Sequence, residues 1–208
     1  MQKNSHKLRR WELALLLGVG LAAIFGLWLS SQQTALADKV IRLHIIANSD
    51  IQADQDLKLQ VRDRILKDAS PYLAGVNKET AERLLTARLD DLARAGAEAV
   101  GDAGYDYPVT ASLEETYFPT KQYTDFAFPA GNYTALRVVL GDGEGKNWWC
   151  VVFPPLCLGS VTEQVETAAA MGELGAQDVA LITGETQGYL VKFRAMELWE
   201  QFKNWAKL

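Results

Sequence analysis

Residues 40–47 come shortly after the long apolar stretch near the start of the chain, and they are apolar except at the alternate positions 42 and 44. Alternation with a period of two is typical of a β-strand, whose successive side chains point to opposite faces. The sequence therefore predicts a strand here, ended by the turn-forming residues Asn48, Ser49 and Asp50. One face of this strand would carry Ile41, Leu43 and Ile45, and the other Val40, Arg42, His44 and Ile46.

Two stretches after this strand repeat their apolar residues with the 3.6-residue period of a helix. The first covers residues 53–73, and Pro71 and Gly75 mark its end. The second covers residues 78–100 and ends in small residues, which allow close packing. We therefore expect two long helices after the first strand.

The strand pattern returns in the second half of the chain. Residues 107–118 alternate, which predicts a strand with one face in water. Residues 133–140 and 148–153 are apolar at nearly every position, so both faces of these strands should be covered. Gly141, Gly143 and Gly145 lie between them, and glycine tolerates the positive φ that a tight reversal requires. This spacing predicts a β-hairpin.

The pattern is weaker after Cys157. Residues 161–174 fit either a loop or a short helix, and residues 179–182 and 188–193 are short strand candidates. The amphipathic pattern of residues 196–208 predicts a closing helix. The predicted fold class is α+β, with a single domain. It has one mostly antiparallel sheet, two long helices after the first strand, and a C-terminal helix.

The first 37 residues have the organisation of an export signal. Lys3, Lys7, Arg9 and Arg10 precede a continuous apolar run at residues 13–29. The small residues Ala35 and Ala37 then offer a signal-peptidase site before Asp38. Basic residues before such a run keep the N-terminus cytoplasmic and send the rest of the chain across the membrane.

Two outcomes are open for this segment. Residues 1–37 are either a signal peptide cleaved after Ala37 or an uncleaved membrane anchor, because the run of residues 13–29 is long for a signal peptide and short of the usual span of about 20 residues. In both cases residues 38–208 form an extracytoplasmic domain, which contacts the membrane only through the N-terminal segment.

Charge excludes some partners. The first 37 residues carry +3, from four basic residues and Glu12, and subtracting this from the chain's −5 leaves −8 for the rest. Nucleic acids and anionic lipid surfaces bind basic faces, so an acidic domain is not expected to bind either.

Candidate cofactor and metal sites do not meet their chemical requirements. The turn at residues 141–147 resembles a phosphate loop, but its glycine spacing is wrong and Asn147 stands where Ser or Thr is required. Cys150 and Cys157 are the only cysteines, and beyond residue 37 they have only His44 to complete a zinc site. We expect no cofactor and no metal. The two cysteines form either a disulfide, as is common in exported domains, or a pair of buried thiols.

A cluster after the first strand holds the residues that could act on a substrate. His44, Asn48, Ser49 and Asp50 suggest a hydrolase, but no nucleophile elbow, HExxH motif or second histidine of the domain accompanies them. Structural and binding roles are therefore favoured over catalysis. Trp148 and Trp149 are adjacent on a strand and must face opposite sides of it. His44, Asn48, Asp50, Trp148 and Trp149 are the residues that we expect to contact a partner.

Two blocks of sequence together resemble one known family. VIRLHIIANSD, followed by DLKLQVRDRIL, and then FPAGNYTALRVVLGDGEGKNWWCVVFPPLC resemble the stage II sporulation protein R family of endospore-forming bacteria. The resemblance covers residues 39–160 strongly and the closing helix weakly.

The resemblance implies an intercellular signal and not an enzyme. A member of this family is made in the forespore and exported into the space between the forespore and mother-cell membranes. There it activates a membrane-embedded aspartic protease, from the extracytoplasmic side, and the protease processes pro-sigma-E. The alternatives from other classes are an exported cell-wall hydrolase that uses His44 and Asp50, and a structural envelope protein.

Overall fold

The structure, a computed structural model, describes residues 5–123, 127–157 and 174–183, and also positions 168, 172, 197–199 and 201. The chain begins with helix α1 (Ser5–Ala37) and continues into strand β1 (Ile41–Ile46). Three helices follow: α2 (Gln52–Leu73), α3 (Lys78–Thr86) and α4 (Leu89–Asp102). The remaining elements are β2 (Val109–Phe118), β3 (Lys121–Gln122), β4 (Ala127–Phe128), β5 (Gly131–Leu140), β6 (Asn147–Phe153) and α5 (Ala176–Thr183).

The main sheet has the strand order β2-β5-β1-β6. The β2–β5 and β1–β6 pairs are antiparallel and β1–β5 is parallel, so the sheet is mostly antiparallel, as predicted. Strands β3 and β4 form a separate two-stranded sheet. The predicted α+β class is confirmed.

The prediction of a hairpin was wrong. β5 and β6 do not pair with each other, because β1 lies between them and pairs with both. All six residues of β1 are buried, which is the environment of a central strand. Residues 141–146 therefore cross over the end of β1, a distance of two strand spacings or about 10 Å.

A core lies on each face of the sheet, and the alternation in β1 assigns its side chains as predicted. The core that α2, α3 and α4 cover includes Ile41, Leu43, Ile45, Leu136, Val138, Cys150 and Val152. The second core is rich in aromatic residues and includes Leu36, Val40, Phe118, Phe128, Tyr133, Val151, Leu174 and Ile182. Both predicted faces of β1 are thus confirmed.

Arg42 is fully buried in this second core. Its guanidinium lies 4.4 Å from the ring centroid of Phe118 and 4.9 Å from that of Phe128, close enough for cation–π attraction. Its Nε donates a 2.9 Å hydrogen bond to the carbonyl of Cys150. The positive charge is therefore held by aromatic faces and a backbone carbonyl, and it ties β1 to β6.

The second predicted helix is divided in two. α3 ends at Thr86 and α4 begins at Leu89, so each short helix turns its own apolar face inward. α3 buries Ala81 and Leu85, and α4 buries Leu92, Ala95, Gly96 and Val100. The first predicted helix corresponds to α2 and is continuous, even across Pro71.

The weaker predictions after Cys157 have mixed outcomes. Residues 179–182 are helical, within α5, so the predicted strand there was wrong. A run this short and apolar fits a buried helix as well as a strand, because periodicity cannot separate the two. The predicted strand 188–193 lies outside the described residues, and so do most of residues 161–174. Of the predicted closing helix, residues 197–199 and 201 are described, and they are helical.

Candidate partner-binding site

The turn after β1 and the loop between β5 and β6 are hydrogen-bonded into one unit. Asn48 Oδ1 accepts a 3.0 Å bond from the backbone N–H of Asp142, and the backbone N–H of Glu144 donates to the carbonyl of Asn48 at 3.1 Å. Asp50 Oδ1 accepts from the backbone N–H of Lys146 at 2.8 Å. Asn48 and Asp50 thus hold the crossing loop in place. We call the surface formed by residues 48–52 and 141–147 the loop face.

Asp54 stabilises this turn through side-chain hydrogen bonds. Its carboxylate is buried and accepts hydrogen bonds from Ser49 Oγ at 2.6 Å, Asn48 Nδ2 at 3.0 Å and the Tyr107 hydroxyl at 3.2 Å. These bonds, that of Ser49 above all, lower the pKa of Asp54 against the opposing effect of burial. Asp54 is therefore ionised at neutral pH.

Lys58 joins the crossing loop to α2. Its Nζ donates to the carbonyl of Lys146 at 2.8 Å and to Gln55 Oε1 at 2.6 Å. Burial lowers the pKa of Lys58. Side chains of α2 thus bond both halves of the loop face, which gives that surface a fixed shape.

Two glycines permit this close fit. Gly141 adopts a φ of 55°, and a Cβ there would collide with Asn48 Oδ1. A Cβ at Gly145 would collide with the carbonyl oxygen of Ser49 and lie 2.8 Å from Ala47 Cβ. The glycines in this loop therefore serve the contact with the β1 turn, and not the hairpin reversal that the sequence predicted.

The loop face presents one large apolar side chain among charges. Ile51 is 60% exposed although it is an isoleucine. The loop face also carries the exposed residues Asp50, Asp142, Glu144 and Lys146, three acids and one base. A surface that combines an exposed apolar side chain with mostly acidic residues suits a partner that offers an apolar pocket and basic side chains.

The surroundings of His44 favour a structural role over a catalytic one. It is buried, its ring stacks on Trp149 with the centroids 3.8 Å apart, and Nε2 lies 2.8 Å from Asn147 Oδ1. Burial is the main cause that lowers the pKa of His44, so the ring is neutral at neutral pH. Asp50 is engaged elsewhere, with the backbone of Lys146. The described contacts do not assemble His44 and Asp50 as a hydrolytic pair.

The two tryptophans lie on opposite faces of β6. Trp148 joins the core that the helices cover, where the guanidinium of Arg62 lies 4.5 Å from its ring centroid. Trp149 packs against the second core, beside His44 and Phe118. Both are half-buried at the end of β6 that adjoins the loop face. They extend that surface without forming its centre.

Cys150 and Cys157 form a disulfide in the structure, with their Cα atoms 5.7 Å apart. Cys150 lies opposite Leu43 of β1. The bridge therefore fixes the chain that leaves β6 to the sheet. In the part of the chain that the structure describes, no group of three or more His, Cys, Asp or Glu side chains could hold a metal ion.

The sequence analysis named His44, Asn48, Asp50, Trp148 and Trp149 as partner contacts without relating the tryptophans to the other three. The structure puts all five near the C-terminal end of β1, and their contact with a partner stays a prediction. The sequence analysis missed Asp54, Tyr107 and Ile51. The signal for Ile51 was available, since it is the one large apolar residue between Asn48 and Asp56 in the sequence. No local sequence signal identified Tyr107, because it comes 53 residues after Asp54, its hydrogen-bond partner.

Residues 37–163 match the sequence profile of the family described as stage II sporulation protein R. The chain belongs to this family. The matched residues include β1 to β6 and both halves of the loop face, so the surface described above lies within the family's shared region.

A curated relative has the same description. The stage II sporulation protein R of Bacillus subtilis (strain 168) is 37% identical over 128 residues, which are 61% of this chain and 57% of that protein. The chain thus matches less than two thirds of its relative. No solved structure shows significant similarity.

Proposed function

We propose that this chain is an intercellular signal in endospore formation that activates a membrane-embedded aspartic protease. In this proposal the domain is exported from the forespore and binds the protease from its extracytoplasmic side. The protease then processes pro-sigma-E in the mother cell. The observation that carries the proposal is membership of the stage II sporulation protein R family.

Export is supported by the N-terminal helix and by the disulfide. Within the described residues, one helix, Arg9–Ala37, is long and apolar enough to cross a membrane. Such a helix close to the N-terminus is equally typical of a signal sequence or an anchor. Disulfides persist in oxidising compartments outside the cytoplasm, and the structure joins Cys150 to Cys157.

A binding role is supported by how the polar residues are used. Asn48, Asp50 and Asp54 are occupied in holding the loop face together, and His44 is buried and neutral. The exported cell-wall hydrolase that would use His44 and Asp50 gains no support from these contacts, and the structural envelope protein gains none either.

The loop face is the surface that we propose for the receptor. A ligand activates its receptor by binding the active state more tightly than the inactive one. To take a receptor from 1% to 99% active, the preference must be about 10⁴-fold. Such a preference must come from contacts that the loop face makes in the active state alone. Its rigidity helps binding in general, because no ordering of loops is needed.

The test is to produce the full chain, the protease and pro-sigma-E together in a non-sporulating host, and to follow cleavage of pro-sigma-E by immunoblot. We expect processing only when this chain is present and exported. A matched control that lacks residues 13–29 keeps the domain in the cytoplasm and should give none. Equal processing without the chain would refute the proposal.

A further inference from the structure

The two outer strands of the main sheet, β2 and β6, differ at their free edges. The pairing of β6 with β1 shifts in register, as at a β-bulge. Two backbone carbonyls of β6 are also occupied: that of Trp149 accepts a 2.9 Å hydrogen bond from the Tyr123 hydroxyl, and that of Val151 accepts from the backbone N–H of Leu156 at 3.2 Å. These features leave β6 little capacity to pair with a further strand.

The edge of β2 has none of these features. The strand is ten residues long and pairs with β5 at every residue without a shift in register. In the part of the chain that the structure describes, its backbone makes no backbone hydrogen bond on the side away from β5. It contains no proline, which would remove a donor from the edge. A long and regular edge of this kind is able to accept another strand.

One hydrogen bond shows which residues of β2 direct their backbone groups outward. The N–H of Gly141 donates to the carbonyl of Pro108 at 2.8 Å, and these two residues continue the register of the pair Val109 and Leu140. Hydrogen-bonded and non-hydrogen-bonded pairs alternate along an antiparallel ladder. The even-numbered residues of β2 therefore bond to β5. The residues that direct N–H and C=O groups away from the sheet are Val109, Ala111, Leu113 and Glu115. We call these outward groups the β2 edge.

Two acids in the middle of β2 decide which kind of strand fits this edge. Glu114 and Glu115 are both exposed. Glu114 Oε1 lies 3.6 Å from Arg137 Nε on one face of the sheet, and Glu115 points to the other face. If two copies of β2 paired around a two-fold axis along most of their length, the glutamates of both copies would lie opposite or diagonal to one another. Like charges at such positions are unfavourable, so the edge suits a basic strand and not a second copy.

We propose that the β2 edge binds an extended, basic segment of the receptor, which joins the sheet as a fifth strand. This inference rests on the proposed function, because the receptor is the protease named there. Backbone hydrogen bonds supply the affinity, and a lysine or arginine opposite Glu115 supplies the selectivity. The β2 edge begins beside the loop face, since Pro108 bonds to Gly141, so one receptor can contact both surfaces.

Hydrogen exchange resolved to single residues tests the proposal on the backbone itself. The exported protein is measured alone and bound to the detergent-solubilised protease. In the free protein, we expect the odd-numbered amides from 109 to 115 to exchange at least about tenfold faster than the even-numbered ones between them. In the complex, the odd-numbered amides should slow by about tenfold or more, because each gains a hydrogen-bond acceptor.

Three results of this measurement would overturn the proposal. Odd-numbered amides that are already protected in the free protein would show that the edge is not available. Odd-numbered amides that exchange equally fast in the complex would show that no strand is added there. Failure of the two proteins to bind would remove the occupant.

Substitutions of Glu115 separate the backbone from the side chain. Glu115→Pro removes the outward N–H together with the charge, Glu115→Gln removes the charge alone, and Glu115→Arg reverses it. We expect pro-sigma-E processing in the co-production assay to fall about tenfold or more with proline and with arginine, and about threefold or less with glutamine. The control is Glu79→Arg, which makes the same change of charge at an exposed position of α3 and should process like wild type.

The arginine variant keeps the proposal falsifiable if Glu115→Pro does not fold, which urea unfolding of the exported variants shows. Wild-type processing with Glu115→Arg would overturn the basic strand. Failure of this inference is distinguishable from failure of the proposed function. Processing of pro-sigma-E without protection of the β2 edge would refute the added strand alone. Protection of the edge without any processing would refute the signalling proposal alone.

Discussion

At the scale of single residues, Asp54 determines whether the turn after β1 keeps its shape. Its carboxylate accepts three hydrogen bonds that an asparagine in its place cannot all accept. These bonds lower the pKa of Asp54 in the folded chain. A lowered pKa stabilises the fold fully above the unfolded-state pKa of about 3.9, and this stability is lost as the pH falls through the folded pKa.

We therefore expect Asp54→Asn to lower the free energy of unfolding at neutral pH, with a smaller difference from wild type below about pH 4. Urea unfolding followed by circular dichroism from pH 3 to pH 7 measures this difference. Asp56→Asn is a control, because Asp56 is exposed on the first turns of the same helix. A difference that stays constant down to pH 3 would contradict the role given to the Asp54 carboxylate.

Gly145 tests the close contact between the two loops. Gly145→Ala should lower the free energy of unfolding by about 1–3 kcal/mol, because its Cβ overlaps the backbone of Ser49. Gly101→Ala, in the open surface of α4, should be neutral or stabilise by up to about 1 kcal/mol. Equal stabilities of the two variants in urea would show that the loops are not in contact.

At the scale of elements, the alternation of apolar and polar residues predicted which face of a strand each side chain occupies. The order of the strands along the chain, however, suggested a wrong strand pairing. The two faces of β1 were predicted correctly, because a period of two fixes which side each residue faces. The pairing of β5 with β6 was not, because a glycine-rich connection does not reveal that a distant strand lies between its ends. The break between Thr86 and Leu89 was missed as well, since it contains neither glycine nor proline.

In the candidate site too, residues with a local sequence signal were predicted and their distant partners were not. Asn48 and Asp50 were recognised because they end a strand in turn-forming residues. Their partners Asp142 and Lys146 come 94 and 96 residues later, and no local pattern connects them. The hydrogen bond between Asp54 and Tyr107 depends on how α2 and the segment before β2 come together, which is a property of the tertiary structure alone.

The disulfide is the element-scale feature that can be removed most cleanly. Cys150→Ala combined with Cys157→Ala should lower the free energy of unfolding by about 2.5 kcal/mol, the chain-entropy value for so short a ring. Alanine avoids placing a hydroxyl at the buried position of Cys150. Wild type unfolded in urea with and without a reductant provides the control. No effect of either change would contradict a formed bridge.

At the scale of the whole molecule, the loop face is the surface that we propose for the receptor. Ile51 allows this proposal to be tested without loss of the fold, because it is the N-cap residue of α2 and has the extended backbone of that position. Ile51→Ser removes the apolar anchor and adds a preferred N-cap side chain, which should stabilise α2 by about 0.5–1 kcal/mol.

We expect the Ile51→Ser variant to unfold at a urea concentration at least as high as wild type. It should nevertheless reduce pro-sigma-E processing in the co-production assay by about tenfold or more, the loss typical of an interface anchor. The control is Tyr72→Ser, at the far end of α2, which should process like wild type. Full processing with Ile51→Ser would remove Ile51 from the proposed interface.

The most direct test of the central claim is site-specific photo-cross-linking in cells that make the full chain and the protease. A photoreactive residue is placed at Ile51 or, as the control, at Tyr72, about 30 Å away along α2. We expect a cross-link to the protease from position 51 and none from position 72. Cross-links from position 72 alone, or none from position 51 while pro-sigma-E is processed at the wild-type rate, would contradict it.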